Sequence, residues 1–281
     1  MDQILFSGEI PGLFLERIRR DGEFSMPQTH FHGSYEIYLL LEGERSYFIE
    51  NRTYHLKPGG LVFIGPNRIH KTSAAHTARH ERVLAEIEPP LMRRMADWSG
   101  SLRMKSFFDE DSGVLDLQGA EREFAESLFS RMADEIRKKP LAYKEYTALL
   151  LGELLIFIFR KADSAPEQYP ALNSAKHRKV YEIAGYISTK YAEIESIDQL
   201  SREFFISKYY LCHIFKEVTG LTISEYINDN RVMAAEKLLA ETSGSVAQVS
   251  AAVGYGSVTY FDRVFRRRMG QSPIQYRETH S

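Results

Sequence analysis

Apolar and polar positions change rhythm twice along this chain. In the first part they form short runs rich in branched and aromatic side chains: Glu36-Ile37-Tyr38-Leu39-Leu40-Leu41, Arg45-Ser46-Tyr47-Phe48-Ile49 and Leu61-Val62-Phe63-Ile64. Turn signals separate the runs, at Glu42-Gly43, Glu50-Asn51 and Pro58-Gly59-Gly60. Regular short strands with such turns predict a small barrel or jelly roll. After about Gln118 the period lengthens. Phe124, Leu128, Met132 and Ile136 recur at helical spacing. A second apolar helix is predicted from about Tyr143 to Phe159, through Leu149, Leu150, Leu154 and Ile158. Two adjacent helices with more apolar surface than a hairpin needs point to a dimer interface; packing on the barrel is the plainer reading. From Asp163 to Ser174, Ala165-Pro166 and Tyr169-Pro170 sit among polar residues and read as an interdomain linker. Beyond it the pattern is helical to the end.

The last hundred residues repeat themselves. Ser207-Lys208-Tyr209-Tyr210-Leu211-Cys212-His213-Ile214-Phe215-Lys216 returns 50 residues on as Ser257-Val258-Thr259-Tyr260-Phe261-Asp262-Arg263-Val264-Phe265-Arg266, and the match runs on through Gly220 and Gly270 to Tyr226 and Tyr276. Each copy has the same local grammar. Ser196 to Gln199 and Ser245 to Gln248 read as capping boxes that start a short helix. Ser207 and Ser257 can cap the next helix, and Gly220 and Gly270 are natural stops. A short helix, a tight turn and a second helix make a helix-turn-helix. Before the first copy, Val180, Ile183, Ala184, Ile187 and Tyr191 form the apolar face of a leading helix.

Helical spacing divides each second helix into two faces. Leu211, Ile214 and Phe215 must pack inward in the first, and Phe261, Val264 and Phe265 in the second. Tyr209, Cys212, His213 and Lys216 then face out, as do Thr259, Asp262, Arg263 and Arg266. A helix presenting such a face fits the major groove of B-DNA, where arginine can bond a guanine edge through two hydrogen bonds. Lys208, Lys216, Arg266 and Arg267 are better placed as phosphate contacts, which orient without specifying.

Bulk composition narrows the class without deciding it. The chain has 281 residues, 43% hydrophobic and 26% charged, which suits two globular domains. No apolar run approaches the roughly 18–20 residues that span a bilayer. Met1-Asp2-Gln3-Ile4 lacks the basic start of a signal peptide, and the one cysteine, Cys212, excludes an intrachain disulfide. A cytoplasmic protein without a membrane partner is expected. The net charge of −2 does not suggest nucleic acid. The local cluster Arg263, Arg266, Arg267 and Arg268, against a single Asp262, does.

Phe215-Lys216-Glu217-Val218-Thr219-Gly220, then Tyr226-Ile227-Asn228, then Val253 to Arg266 and Gly270 to Arg277 resemble the signature of the AraC/XylS family of bacterial transcription regulators. The resemblance spans about residues 178–278. It implies two helix-turn-helix units joined by a long helix near Ile223 to Glu241, inserted into successive major grooves of promoter DNA. It also implies transcriptional activation, contact with RNA polymerase and a homodimer. Carried over residue by residue, the base-reading positions are Tyr209, Cys212 and His213 in the first copy and Val258, Thr259, Asp262 and Arg263 in the second. Cys212-His213 stands where longer polar or basic side chains are common, which implies a weaker readout by the first copy.

The barrel carries its own motif. His30-Phe31-His32, Glu36 and Gly43, followed by Gly60, Pro66 and His70, are similar to the two halves of a cupin. That resemblance implies a metal held by His30, His32, Glu36 and His70. Imidazole and carboxylate ligands suit zinc, iron, manganese or nickel alike. Arg68 stands where the metal-binding form often has glycine. The same pattern matches the sensor domains of the regulator family, whose pocket takes a small organic effector, commonly a sugar. The divalent metal, the organic ligand and a purely structural role for the histidines all stay open, and no cofactor is required. Alternation along the strand from Glu36 adds Tyr38 to the pocket. His55, His76 and His80 fit no ligand spacing and read as surface residues.

The expected architecture is therefore multidomain α+β: a cupin-like barrel or jelly roll (1–117), a helical connector with dimerisation helices (118–162), a linker (163–175) and an all-α double helix-turn-helix (176–281). The expected function is an effector-controlled, sequence-specific regulator rather than an enzyme. The alternative is a cupin metalloenzyme with an appended helical domain.

Overall fold

In the computed structural model, residues 2–22, 24, 32–66, 68–99, 106–108, 112–164, 172 and 174–280 are described. The branched and aromatic runs form strands. β3 (Tyr35–Glu42), β4 (Arg45–Ile49) and β6 (Gly60–Ile64) are joined by β1 (Asp2–Ile10), β2 (Leu13–Asp21), β5 (Arg52–Leu56), β7 (His70–Ala74), β8 (Arg79–Ile87) and β9 (Gly113–Asp116). They build two antiparallel sheets, one in the order β1-β2-β8-β3-β6-β9 and the other β5-β4-β7. Register fixes which side chains meet. Glu36 lies opposite Glu86 across β3 and β8, and Tyr47 opposite Thr72 across β4 and β7.

Strand alternation then splits the molecule into layers. Leu13, Leu15, Ile37, Leu39, Val83 and Ala85 point to the outer face of the larger sheet. Three helices cover that face: α1 (Pro89–Ser99), α2 (Ala120–Lys138) and α3 (Tyr143–Ser164). Leu128, Phe129, Met132 and Ile136 of α2 and Leu150, Leu151, Leu154 and Ile158 of α3 are buried in that same core. Most of the apolar surface read as a dimer interface thus packs on the barrel. Phe124, Tyr146 and Leu149 stay exposed, Leu149 at 52%. The interval 118–162 holds both connector helices, α3 running on to Ser164. Most of the interval read as a linker, residues 165–171 and 173, lies outside the described residues.

The C-terminal half contains α4 (Ala175–Lys190), a 3-10 turn (Tyr191–Glu193), α5 (Ile197–Glu203), α6 (Lys208–Thr219), α7 (Ile223–Glu241), α8 (Val246–Ala252), α9 (Val258–Met269) and α10 (Pro273–His280). The serine caps form at each start: Ser207 accepts from Tyr210 N–H and Ser257 from Tyr260 N–H. Ser245 and Gln248 close a full capping box. At the first copy the box is only half made, because Gln199 reaches past Ser196 to Glu195 N–H. Helix α7 spans both units: Ile223, Tyr226 and Ile227 pack in the first core, and Val232, Ala235 and Leu239 in the second. Among the described residues no helix is long and apolar enough to cross a membrane.

The smaller sheet does not face water. Phe48 of β4 and Ile69, next to β7, enter the core of the first helix-turn-helix unit. Polar contacts frame that seam. Thr53 Oγ1 donates to Val218 O at 2.9 Å, Lys71 Nζ to Gly220 O at 2.6 Å, and Tyr226 Oη to Glu50 O at 2.6 Å.

Candidate DNA-reading faces and effector pocket

The inward residues of both reading helices are buried as their spacing requires: Leu211, Ile214 and Phe215 on α6, and Phe261, Val264 and Phe265 on α9. That packing leaves the opposite faces at the surface. On α6, Tyr209 is 83% exposed and its ring stacks over His213 at 6.3 Å between centroids. Tyr209, Cys212, His213 and Lys216 line one shallow depression. On α9, Val258, Thr259, Arg263, Arg266 and Arg267 are exposed and Asp262 is half-buried. The Arg263 guanidinium lies 5.2 Å from the Tyr260 ring centroid. Two candidate contacts are engaged within the protein. Lys208 pairs with Asp198 at 2.8 Å, and Arg266 with Asp262 at 2.8 Å. The basic cluster needs one correction. Arg268 turns inward and pairs with the buried Asp229 at 2.7 Å, so the basic surface of α9 rests on Arg263, Arg266 and Arg267.

Between the two sheets lies a cavity of about 290 Å³. Alternation feeds it with every second residue. Phe14, Glu16 and Arg20 come from β2, Glu36 and Tyr38 from β3, Tyr47 from β4, Thr72 from β7, and His80, Arg82, Leu84 and Glu86 from β8. Phe24 completes the wall.

One end of the cavity is acidic. Glu36 is buried; its Oε1 accepts from Tyr47 Oη at 2.7 Å, while Oε2 lies 3.3 Å from His32 Nε2 and 3.4 Å from His70 Nε2. Both imidazoles are oriented from behind. His32 Nδ1 donates to Ser34 O at 3.0 Å and His70 Nδ1 to Arg68 O at 2.8 Å. With Nδ1 donating to a carbonyl, Nε2 donates to the Glu36 carboxylate only when the ring is protonated; the neutral ring would offer its Nε2 lone pair to a cation instead. Burial alone would raise the Glu36 pKa, but His70 and His32 hold its carboxyl well below the usual range. Burial pulls His32 down, yet Glu36 more than offsets this and raises it. The three donor atoms lie within 4.8 Å of one another. The fourth expected ligand, His30, lies outside the described residues. Tyr38 shares the cavity as alternation requires.

The other end is basic, and sequence reasoning missed it. Arg45 is 0% exposed. Its Nη1 donates to Phe24 O at 2.7 Å and its Nε to Thr72 Oγ1 at 3.1 Å, two residues of the cavity wall. Arg20 lies 3.7 Å from the Phe24 ring centroid, and Arg82 pairs with Glu16 at 2.5 Å. His80, expected at the surface, is 1% exposed. Burial, followed by Arg45, Arg20 and Arg82, pushes its pKa down to about 4, so the ring is neutral at pH 7. The available signal was the period-two run His80-x-Arg82-x-Leu84-x-Glu86 along β8. His55 also departs from the surface reading: it is half-buried and bonds Glu44 at 2.9 Å, with the exposed His76 ring 4.9 Å away.

Comparison with known proteins gives the same two halves. Residues 14–151 match the AraC-like ligand binding domain, and residues 200–279 a helix-turn-helix domain. The chain is similar to the uncharacterized HTH-type transcriptional regulator YisR of Bacillus subtilis (strain 168), at 25% identity over 99% of this chain and 98% of that protein. The arabinose operon regulatory protein of Escherichia coli (strain K12) is 25% identical over 86% of this chain and 80% of its own length. Among solved structures, ToxT from Vibrio cholerae O395 aligns over 97% of this chain and 99% of its own, at 14% identity and a TM-score of 0.41. The relatives are transcriptional regulators, which overturns the metalloenzyme alternative.

Proposed function

Because this chain belongs to the AraC family of transcriptional regulators, with its ligand-binding and helix-turn-helix domains, we propose that effector binding between the two sheets controls how α6 and α9 read promoter DNA. The observation that carries this reading is the double use of β4 and β7. Tyr47 and Thr72 face the cavity, and His70 reaches Glu36 at its acidic end. Their neighbours Phe48 and Lys71 face the first helix-turn-helix unit. A ligand that shifts either strand must therefore move, or release, a surface on which α6 and α7 rest. Such control needs different ligand affinities for the two arrangements.

On DNA, Arg263 would read a base edge, helped by Val258, Thr259 and Asp262, while Tyr209, Cys212 and His213 serve the first half-site. Lys208, Lys216, Arg266 and Arg267 would hold phosphates. The Asp198–Lys208 and Asp262–Arg266 pairs are exposed and give way at small cost. Activation through RNA polymerase follows the family pattern. A homodimer through α2 and α3 is supported by the exposed Phe124, Tyr146 and Leu149. A sugar-sized, polar effector in contact with Glu36 and Tyr38 suits the cavity.

The test is binding of the full chain to its own promoter region against scrambled DNA of equal length. A preference of about 1,000-fold or more is expected; equal binding overturns the reading. Lys71→Met should change promoter affinity and leave base preference intact.

A divalent metal is a second reading, favoured by the backbone bonds at both Nδ1 atoms. Ligands about 2.0–2.1 Å from a tetrahedral zinc lie roughly 3.3–3.4 Å apart. His32 and His70 stand 3.3 and 3.4 Å from Glu36. These three residues would hold the ion, with His30 as the expected fourth. Such an ion would replace protons on the imidazoles and offer a Lewis-acidic anchor to a ligand oxygen. Stoichiometric zinc uptake, lost in His70→Ala, is the expected result; no uptake above that of the variant rules the metal out.

A further inference from the structure

We infer that the effector is a small hydroxylated carboxylate of the sugar-acid class, its carboxylate bound at the basic end of the cavity and its hydroxyls at the acidic end. This rests on the reading of the cavity as the effector pocket and specifies what that pocket takes.

Three buried polar atoms of the lining lack a hydrogen-bond partner, Tyr38 Oη, Arg82 Nη1 and His80 Nδ1, and a fourth, Nη2, belongs to Arg45, which bonds the wall residues Phe24 and Thr72. Buried polar groups are rarely left so, and several around one space mark what that space is shaped to receive. Three of these four can donate as they stand: the phenol and the two guanidinium nitrogens. The neutral imidazole donates from Nδ1 in one of its two tautomers. The shared complement is an acceptor.

Charge narrows the acceptor to an anion. Glu16 offsets Arg82, and Asp2 offsets Arg20 at 3.0 Å. Among the described residues no carboxylate pairs with Arg45, whose two bonds go to neutral oxygens. A buried guanidinium of this kind is costly until an anion joins it. Nη2 of Arg45, whose Nε and Nη1 are already engaged, can donate to a carboxylate oxygen, and the neutral His80 can donate to the same group from Nδ1. At the far wall, Glu36 and Glu86 can only accept, so they select ligand hydroxyls over a second acid group. Phe14, Phe24 and Tyr47 supply apolar walls for a sugar ring or carbon chain. The volume of about 290 Å³ sits at the small end for ligand pockets, which favours a single sugar unit.

Titration calorimetry on the full chain tests this with D-glucuronate, D-galacturonate and D-gluconate against D-glucose and D-galactose. At least one acid should bind 10-fold or more tightly than its neutral counterpart, about 1.4 kcal/mol. Arg45→Met should erase that preference. Its melting temperature without ligand should be no lower than wild type, because it removes a buried, uncompensated charge. Should Arg45→Met fail to fold, His80→Gln is the second variant: it keeps the charge at pH 7 and should weaken acid binding several-fold. Neutral sugars binding as tightly as the acids overturn the inference and leave the effector pocket standing. Acid preference surviving both variants places the carboxylate elsewhere and also overturns it. Binding by none of the five, with promoter affinity unchanged by any, overturns the inference and the pocket reading together.

Discussion

The two helix-turn-helix units are built alike and packed differently. Each reading helix starts at a serine cap and ends at a left-handed glycine, Gly220 at φ 74° and Gly270 at φ 72°. Their surroundings diverge. A Cβ added at Gly220 would meet the Lys71 side chain of the barrel at 3.3 Å; one added at Gly270 would meet nothing within 4 Å. The repeated tyrosine makes the same point. Tyr226 bonds the barrel backbone at Glu50, whereas Tyr276 bonds Glu236 of α7 at 2.7 Å. Phe48 and Ile69 complete the core of the first unit, and the core of the second contains no strand residue. Duplication therefore supplies two similar units, and among the described residues strand side chains enter the core of the first alone. The more basic surface belongs to the other copy, so on the function proposed above attraction to DNA and responsiveness to effector would be concentrated in different units.

The largest effects should come from the matched core phenylalanines. Phe215 and Phe265 are both fully buried. Truncation to alanine costs about 3–5 kcal/mol at such sites. Phe265→Ala should lower stability by that amount and leave ligand affinity of the barrel intact. Phe215→Ala should lower stability comparably and also disturb the barrel, since its core includes Phe48. Differential scanning calorimetry with ligand titration separates the two. Identical ligand affinity in both variants would remove the asymmetry drawn above.

Next in size is the reading surface. Arg263→Ala should weaken specific promoter binding by about 1–3 kcal/mol and relax preference at one base pair. His213→Ala should cost less. Competition gel shifts against single-base promoter variants measure both. A larger loss from His213→Ala would make the first copy the main reader.

How much of this was legible in the sequence depends on the range of the interaction concerned. The repeat was readable because caps, glycine stops and inward apolar positions are settled within a few residues of chain. Ser257 bonds Tyr260 N–H three residues away, and that chemistry shows in the letters. Strands β3, β4 and β6 were readable for the same reason. The acidic end of the pocket was partly readable, since His32 and Glu36 are close in sequence and His70 fits a known spacing. The basic end was not. Arg45, His80 and Arg82 converge because β8 inserts between β2 and β3, a strand order no local pattern encodes. His80 reads as a surface residue because it fits no ligand spacing, while Arg20 and Arg45, which with Arg82 surround it in space, are distant in sequence. The docking of β4 and β7 on the first unit was equally hidden. Phe48 reads as barrel core until its partner Tyr226, 6.0 Å away between ring centroids, is in place.

The smallest and most diagnostic comparison is Tyr226→Phe against Tyr276→Phe. Each substitution removes one hydroxyl and keeps the ring, so packing is nearly unchanged. Losing a neutral hydrogen bond costs about 1 kcal/mol, and one to a charged acceptor about 1.5–3 kcal/mol. Tyr276, whose acceptor is the Glu236 carboxylate, should therefore lose more stability than Tyr226, whose acceptor is a peptide carbonyl. The functional order should be the reverse. Tyr276→Phe leaves the seam with the barrel untouched and should keep the wild-type ratio of promoter affinities with and without effector. Tyr226→Phe removes one of the polar contacts that hold the seam. It favours the undocked arrangement, so the two promoter affinities should move toward each other. Thermal melts give the first order, and gel shifts with and without effector the second. If both variants keep the wild-type ratio, coupling runs through the other seam contacts, those of Phe48, Thr53 and Lys71. If Tyr276→Phe shifts it more, the second unit is wired to the sensor after all, by way of α7.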